Sequence, residues 1–284
     1  MTSSKYERAL QLNQAQFRRK TGVDPETFAQ MEAVLHEREA SKRKSGRPPS
    51  LSVGTQLLLT LEFWREYRTY FHLGQDWEIH ETTVQRTVVR VEEALLKSGR
   101  FSLPGKKALK DPDTVFASVV VDVSEVPCER PKKKQREWYS GKKKRHTLKL
   151  QLLVHPVTSK ILCVTAGRGA THDLRLLRES KTPIHPETEL IADAGYQGIQ
   201  HQHAFTRTPK KASKHHPLTD EQRDCNRQLA QVRLPVEHVI RRIKVFRIMK
   251  ETYRHRRRRF HLRVNLIAAL CNRIPIQTRL SQEV

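Results

Sequence analysis

Three carboxylates in this chain of 284 residues sit where the sequence pattern can bring them together. Asp122 closes the apolar, β-branched run Phe116-Ala117-Ser118-Val119-Val120-Val121, and Asp193 closes the run Glu189-Leu190-Ile191-Ala192. Glu237 follows Pro235 and Val236, near the start of a late helical segment. In open α/β sheets, sites gather at the carboxyl ends of strands, where the loops diverge. An acid placed there loses hydration unless something cationic compensates it. With no zinc-type ligands nearby, the hard oxygen donors point to Mg²⁺, or Mn²⁺, which takes one or two carboxylates per ion together with substrate phosphate. Two such ions about 3.5–4 Å apart can activate water and stabilise the leaving oxygen in a phosphodiester displacement. Singly, each acid has a plainer use as a turn cap or a solvated ion-pair partner. The joint pattern is what carries the chemical expectation.

The late helix supports it. Glu237, Arg241 and Lys244 fall at i, i+4 and i+7 on one face, while Val236, Val239, Ile240, Ile243 and Phe246 form the other. The acid thus stands in line with two cations able to hold DNA phosphates. His172 and His238 are read as hydrogen-bond or phosphate contacts, since two-metal chemistry needs no histidine base.

The elements that must position these residues are legible in outline. A first helix is expected from about Tyr6 to Arg19, and a second from Asp24-Pro25-Glu26 through Phe28, Met31, Val34 and Leu35, with Asp24 as N-cap. A basic, breaker-rich linker follows at 41–49. Residues 51–98 read as helix throughout: a run through Leu57, Leu58, Leu61 and Trp64, a short segment from Thr69 to Trp77, and a longer one from His80 through Val84, Val88, Val91 and Leu95. Short helix, tight turn and longer helix match a helix-turn-helix. From residue 115 the period changes. Strands are expected at 116–123, 147–154, 160–166 and 188–193, with a hairpin turn at 155–159 and a helix capped by Thr171. Closing helices are expected from about Thr219, from Pro235, and from Phe260 to Asn272. The boundaries expected are a helical segment at 1–45, a helix-turn-helix domain at 46–100 and an α/β domain at 113–275.

Charge names the partner. The chain carries 54 Lys plus Arg against 30 Asp plus Glu, a formal charge of +24. Such an excess calls for a polyanion, and double-stranded DNA fits best beside a helix-turn-helix. No apolar run approaches the ~20 residues needed to span a membrane. The four cysteines form no CxxC pair, so neither a zinc ribbon nor a disulfide framework is expected, and a reducing, cytoplasmic (nucleoid-associated) setting is. Between Arg130 and His146 lie nine Lys and Arg, including Lys142, Lys143, Lys144 and Arg145, around Trp138 and Tyr139. This reads as a projecting basic hairpin or loop that tracks a DNA backbone, with a second cluster at Arg254–Arg259. Sequence choice falls to 80–96, where Glu81, Thr82, Thr83, Gln85, Arg86 and Arg90 can meet base edges in a major groove, with Arg47 as a candidate minor-groove contact.

Several stretches then become recognisable together. Val120-Val121-Asp122-Val123-Ser124-Glu125-Val126-Pro127, Tyr139-Ser140-Gly141-Lys142, Ile191-Ala192-Asp193-Ala194-Gly195-Tyr196-Gln197-Gly198, Val236-Glu237-His238 and Asn265-Leu266-Ile267-Ala268 follow in order. Gly46-Arg47-Pro48-Pro49 and Trp64-Arg65-Glu66-Tyr67 lie upstream. The chain resembles the DDE transposases of bacterial insertion sequences, the insertion-sequence-five group with its Harbinger-type relatives, over most of its length. The resemblance implies an RNase H-like catalytic domain, a mixed sheet flanked by helices, in which Asp122, Asp193 and Glu237 hold two divalent ions. It also implies roles for Arg233, four residues before the Glu, and Lys244, seven after it. Ala230 stands where many relatives have Tyr, which puts that side chain's contribution in doubt. The expected activity is binding of an element's terminal inverted repeats, hydrolysis there and strand transfer to target DNA, by at least a dimer. The rival expectation is a domesticated relative that binds DNA without cutting it.

Overall fold

Capping residues decide where the first helices begin. In the computed structural model, which describes residues 4–42, 49–213 and 217–274, Ser4 caps α1 (Lys5–Leu10) through a reciprocal box with Glu7. Asn13 and Gln16 repeat the device for α2 (Gln14–Thr21). The single helix expected over 6–19 is therefore two, because Asn13 satisfies a helix N-terminus better than it tolerates a helix interior. Helix α3 (Pro25–Ala40) starts where Pro25 predicts, but the Asp24 carboxylate pairs with Arg18 Nε at 2.5 Å instead of capping a helix N–H.

The chain divides into two compact units, one of Met1–Phe101 with the chain from Ala269 on, the other of Ser102–Ala268. The first holds α4 (Val53–Glu66), α5 (Tyr70–Asp76) and α6 (Glu81–Lys97), the three helices expected over 51–98. Leu57, Leu58, Leu61 and Trp64 of α4 are buried, as are Leu73 of α5 and Val84, Val88, Val91 and Leu95 of α6. The Trp64 indole N–H donates to Glu92 Oε1 at 3.2 Å, with both residues fully buried. Gly74 makes the tight turn into α6 possible: a Cβ there would lie 2.6 Å from the Ile79 carbonyl oxygen.

The second unit opens with α7 (Gly105–Lys110) and β1 (Ser118–Pro127), then α8 (Gln135–Trp138), β2 (Tyr139–Ser140), β3 (Arg145–Val154), β4 (Ile161–Arg168), α9 (Asp173–Ser180), β5 (Glu189–Ala192) and β6 (Thr206–Arg207). Helices α10 (Asp220–Lys244) and α11 (Phe260–Cys271) follow. Strand β3 lies between β1 and β4, antiparallel to both, and β2 pairs with its first residues. Strand β1 runs parallel to β5, and β5 parallel to β6. The sheet is mixed and flanked by helices, an α/β fold as expected. On one face, Val119, Val121, Leu153, Leu162, Leu190 and Ala192 pack beneath Leu174 and Leu177 of α9. Helix α10 packs on β1 and β5 with Val236, Val239 and Ile243 buried.

Three further expectations change. Strand β1 continues to Pro127, so Asp122 lies within it: β5 stops pairing at Ala192, but β3 stays beside β1 as far as Thr147. His172, not Thr171, is the cap residue of α9. The two helices expected around Pro235 are one of 25 residues with Pro235 inside it. The ring removes one backbone hydrogen bond, and burial of Val236, Val239 and Ile243 on the far side of it holds the helix together.

Candidate active site

Strand register puts the two aspartates side by side. Val121 pairs with Ala192 across the parallel β1–β5 ladder, so the next residue of each chain is Asp122 and Asp193. Neighbouring strands run about 4.8 Å apart, and paired residues share a face. Asp193 caps the turn that follows β5, its Oδ1 accepting from Gly195 N–H at 2.8 Å.

Asp122 is held but poorly neutralised. Its Oδ1 accepts from the Val123 N–H at 2.7 Å, and Arg233 of α10 lies 3.8 Å from its Oδ2. Burial pushes its carboxyl up to about 6, and the nearby Asp193 and Asp173 carboxylates push the same way; the Val123 N–H and Arg233 only partly offset them. Ser124 lies two residues on, on the same face of β1, with its buried Oγ unbonded.

Helix α10 contributes along one stripe. Glu237 stands about one turn, about 6 Å of helix rise, beyond Arg233, and is exposed. Lys244 is half-buried. Burial lowers its pKa, as do Lys143 and Lys250, while Asp122 and Glu125 pull it up, so Lys244 sits where the acidic strand meets the basic turn between β2 and β3. Lys142, Lys143 and Lys144 are exposed on that turn, and Arg145 is exposed at the start of β3. Arg241 is exposed on α10, and Ala230, at the position where many relatives of the resembled family have Tyr, is exposed as well.

All candidate donors are carboxylate oxygens, hard ligands of the kind Mg²⁺ and Mn²⁺ prefer. Asp122, within β1, and Asp193, just past the end of β5, fit such an ion as neighbouring acids short of positive charge. Among the described residues, no three His, Cys, Asp or Glu side chains gather tightly enough to hold a metal by themselves. Mg²⁺ sites ordinarily take one or two carboxylates and complete their shell with water and substrate phosphate.

The structure also shows neighbours that sequence reading missed. Lys149 Nζ lies 2.5 Å from Asp173 Oδ1, and Gln151 donates to the Tyr196 hydroxyl at 2.9 Å. The one available signal was a pair of polar residues interrupting an apolar strand. Trp138, at the centre of the basic stretch, lies beneath the Arg257 guanidinium at 4.4 Å, with Arg168 at 5.7 Å. In the first unit, Gln85 and Arg86 are exposed on α6 and Arg90 is half-buried; with Arg38, Val89 and Glu93 they line one shallow groove. Arg47 lies outside the described residues.

Comparison with known proteins gives the class directly. Residues 121–272 match the family model described as DDE superfamily endonuclease, and residues 49–101 match the helix-turn-helix of DDE superfamily endonuclease. The chain belongs to the DDE superfamily endonucleases. It is 46% identical over 268 residues to "Probable transposase for insertion sequence element IS702" of Microchaete diplosiphon, covering 94% of this chain and 97% of that protein. It is 28% identical over 236 residues to a protein of Streptomyces albus G named as a transposase for insertion sequence element IS112, covering 81% and 84%. No solved structure matches the chain. No helix among the described residues is long and apolar enough to cross a membrane.

Proposed function

We propose that this protein is the transposase of an insertion element: it binds the element's terminal inverted repeats in double-stranded DNA, hydrolyses a phosphodiester there and joins the freed 3′ end to target DNA. The observation that carries the reading is the register of β1 against β5, which sets Asp122 beside Asp193 under the helix that bears Arg233, Glu237 and Lys244. Asp122, Asp193 and Glu237 are the acids that would hold divalent cations, Mg²⁺ or Mn²⁺ and two in number. Such ions supply charge neutralisation at the scissile phosphate and activation of the attacking hydroxyl.

The chain's own residues do the rest. Arg233 faces Asp122 across 3.8 Å, and its charge partly offsets that carboxylate while no cation is present. Lys244 and the Lys142–Arg145 turn take the phosphates flanking the cut, and Arg241 extends the row along α10. Arg86 and Arg90 of α6, with Gln85, read bases in the major groove, and Arg47 enters the adjacent minor groove. Two ends must be brought together, so the working form is a dimer or larger assembly on DNA, in the cytoplasm.

Purified protein with Mn²⁺ and a duplex carrying the element's end tests the reading. Nicking at the end is expected in the wild type. It is expected to vanish in Asp122→Asn and Glu237→Gln, with DNA affinity kept. Cleavage that persists in both variants would sink the assignment.

A further inference from the structure

Beyond Asp122 and Asp193, a third acid approaches the site from the other side of the sheet. Asp173 is the first residue of α9, the helix that covers the face opposite α10. One of its oxygens is 2.5 Å from Lys149 Nζ, and the Lys149 side chain is only 10% exposed. The other leans on the turn that carries Asp193: a Cβ at Gly195 would lie 3.1 Å from Asp173 Oδ2 and 2.9 Å from Asp193 Oδ1. The two carboxylates therefore flank one glycine, whose N–H already binds Asp193. Gln151 is two residues from Lys149 on β3, hence on the same face, and is fully buried. Its amide donates to the Tyr196 hydroxyl at 2.9 Å and to the Asp173 carbonyl at 3.3 Å, tying the start of α9 to the Asp193 turn.

A brace that only filled space would not need these charges. A buried lysine loses hydration and rotamer freedom, and a well-packed apolar pair of similar shape generally serves stability as well as a buried ion pair or better. Asp173 also adds negative charge beside Asp122, which is already crowded by Asp193. Placing an acid there makes sense if its charge is used and if something nearby balances it.

We propose that Lys149 and Asp173 are a positioning pair for the acidic site: Asp173 holds the Gly195 turn, and with it the Asp193 carboxylate, beside Asp122, while Lys149 supplies the counter-charge that lets a third acid stand there. The inference rests on reading Asp122 and Asp193 as cation-binding acids.

The test uses the full-length protein and four variants: Lys149→Met, Lys149→Arg, Asp173→Asn and the double Lys149→Met/Asp173→Asn. In thermal unfolding with chelator present, Lys149→Met lowers Tm by leaving the part-buried Asp173 carboxylate without its counter-charge, and adding Asp173→Asn recovers most of the loss. Simple addition of the two losses would overturn the pair, whatever becomes of the nuclease reading. In a Mn²⁺ titration of Tm without DNA, Asp173→Asn raises the concentration giving half the shift by about tenfold, Lys149→Met lowers it by a similar factor, and Lys149→Arg behaves as wild type. Equal midpoints in every variant would reduce the pair to packing and overturn the positioning role. A wild type indifferent to Mn²⁺ would refute the cation-binding reading itself, and the chelator experiment would still judge the ion pair.

Discussion

Replacing Asp122 by Asn should make this protein more stable at neutral pH and inactive at once. The Asp122 side chain is 16% exposed, and burial, with Asp193 and Asp173 nearby, moves its carboxyl from 3.8 to about 6. The folded state therefore holds this proton more tightly than the unfolded chain does. Below pH 3.8 both states are protonated and the residue costs nothing. As pH rises towards 6 the unfolded chain has already shed its proton, and stability declines. Above 6 the full penalty applies, about 3 kcal/mol for a change of this size. Asn keeps an oxygen to accept from Val123 N–H but leaves Arg233 without its anion, so the net gain should be about 1–2 kcal/mol at about pH 7.5. At about pH 4 most of the gain should disappear. Urea unfolding of wild type and variant at both pH values, with chelator present, measures the difference. A variant less stable than wild type at the higher pH, or equally stabilised at both, would refute the argument that Asp122 is a strained, under-neutralised acid.

Other consequences follow from the same geometry. Gly74→Ala forces a Cβ to within 2.6 Å of the Ile79 carbonyl oxygen and should cost about 1–3 kcal/mol, with a parallel fall in affinity for duplex DNA measured by fluorescence anisotropy. Glu92→Ala removes the acceptor of the buried Trp64 indole N–H and should lower unfolding free energy by about 1–3 kcal/mol, read from urea melts; a neutral result would show that water or another acceptor replaces it. Arg86→Gln and Arg90→Gln should each reduce the slope of log affinity against log salt by about 1 if both meet DNA phosphates or bases across α6.

The acids were legible because they end or interrupt apolar runs. Three valines before Asp122 and Leu190-Ile191-Ala192 before Asp193 demand buried strands, and a charge at the end of such a run has to be used. Helix α6 and its buried valines were legible for a similar reason, a long 3.6-residue period with polar residues between. What the pattern could not give was pairing. Nothing local says that β1 keeps β3 as a partner beyond Asp122 after β5 has ended, because register belongs to two strands and not to one. Pro235 misled for a different reason: local propensity marks it as a start, but the buried residues that follow outweigh one lost hydrogen bond. Lys149 and Asp173 were hidden because each looks ordinary alone, a lysine in a strand and an acid at a helix start. Their meaning comes from a contact 24 residues apart in sequence.

Charge explains why the protein alone is electrostatically incomplete. A chain of net charge +24 has no shortage of cations, yet those nearest Asp122 and Asp193 are few and committed: Arg233 at 3.8 Å from Asp122, Lys149 bound to Asp173, and Lys244 with its pKa already lowered by burial and by Lys143. Lys142, Lys143, Lys144 and Arg145 are instead exposed on the turn after β2 and at the start of β3, where they repel one another as long as no polyanion lies across them. The two populations are complementary. On the proposed function, DNA would relieve the basic turn, a cation would relieve the acids, and a phosphodiester brought between them would satisfy both together. Each partner should therefore strengthen the other's binding, and by linkage the factor must be the same in both directions. Mn²⁺ should tighten the binding of end-bearing DNA to wild type by the factor by which that DNA tightens Mn²⁺. The coupling should be absent in Asp122→Asn, and its survival there would mean that the cation acts somewhere other than at these acids.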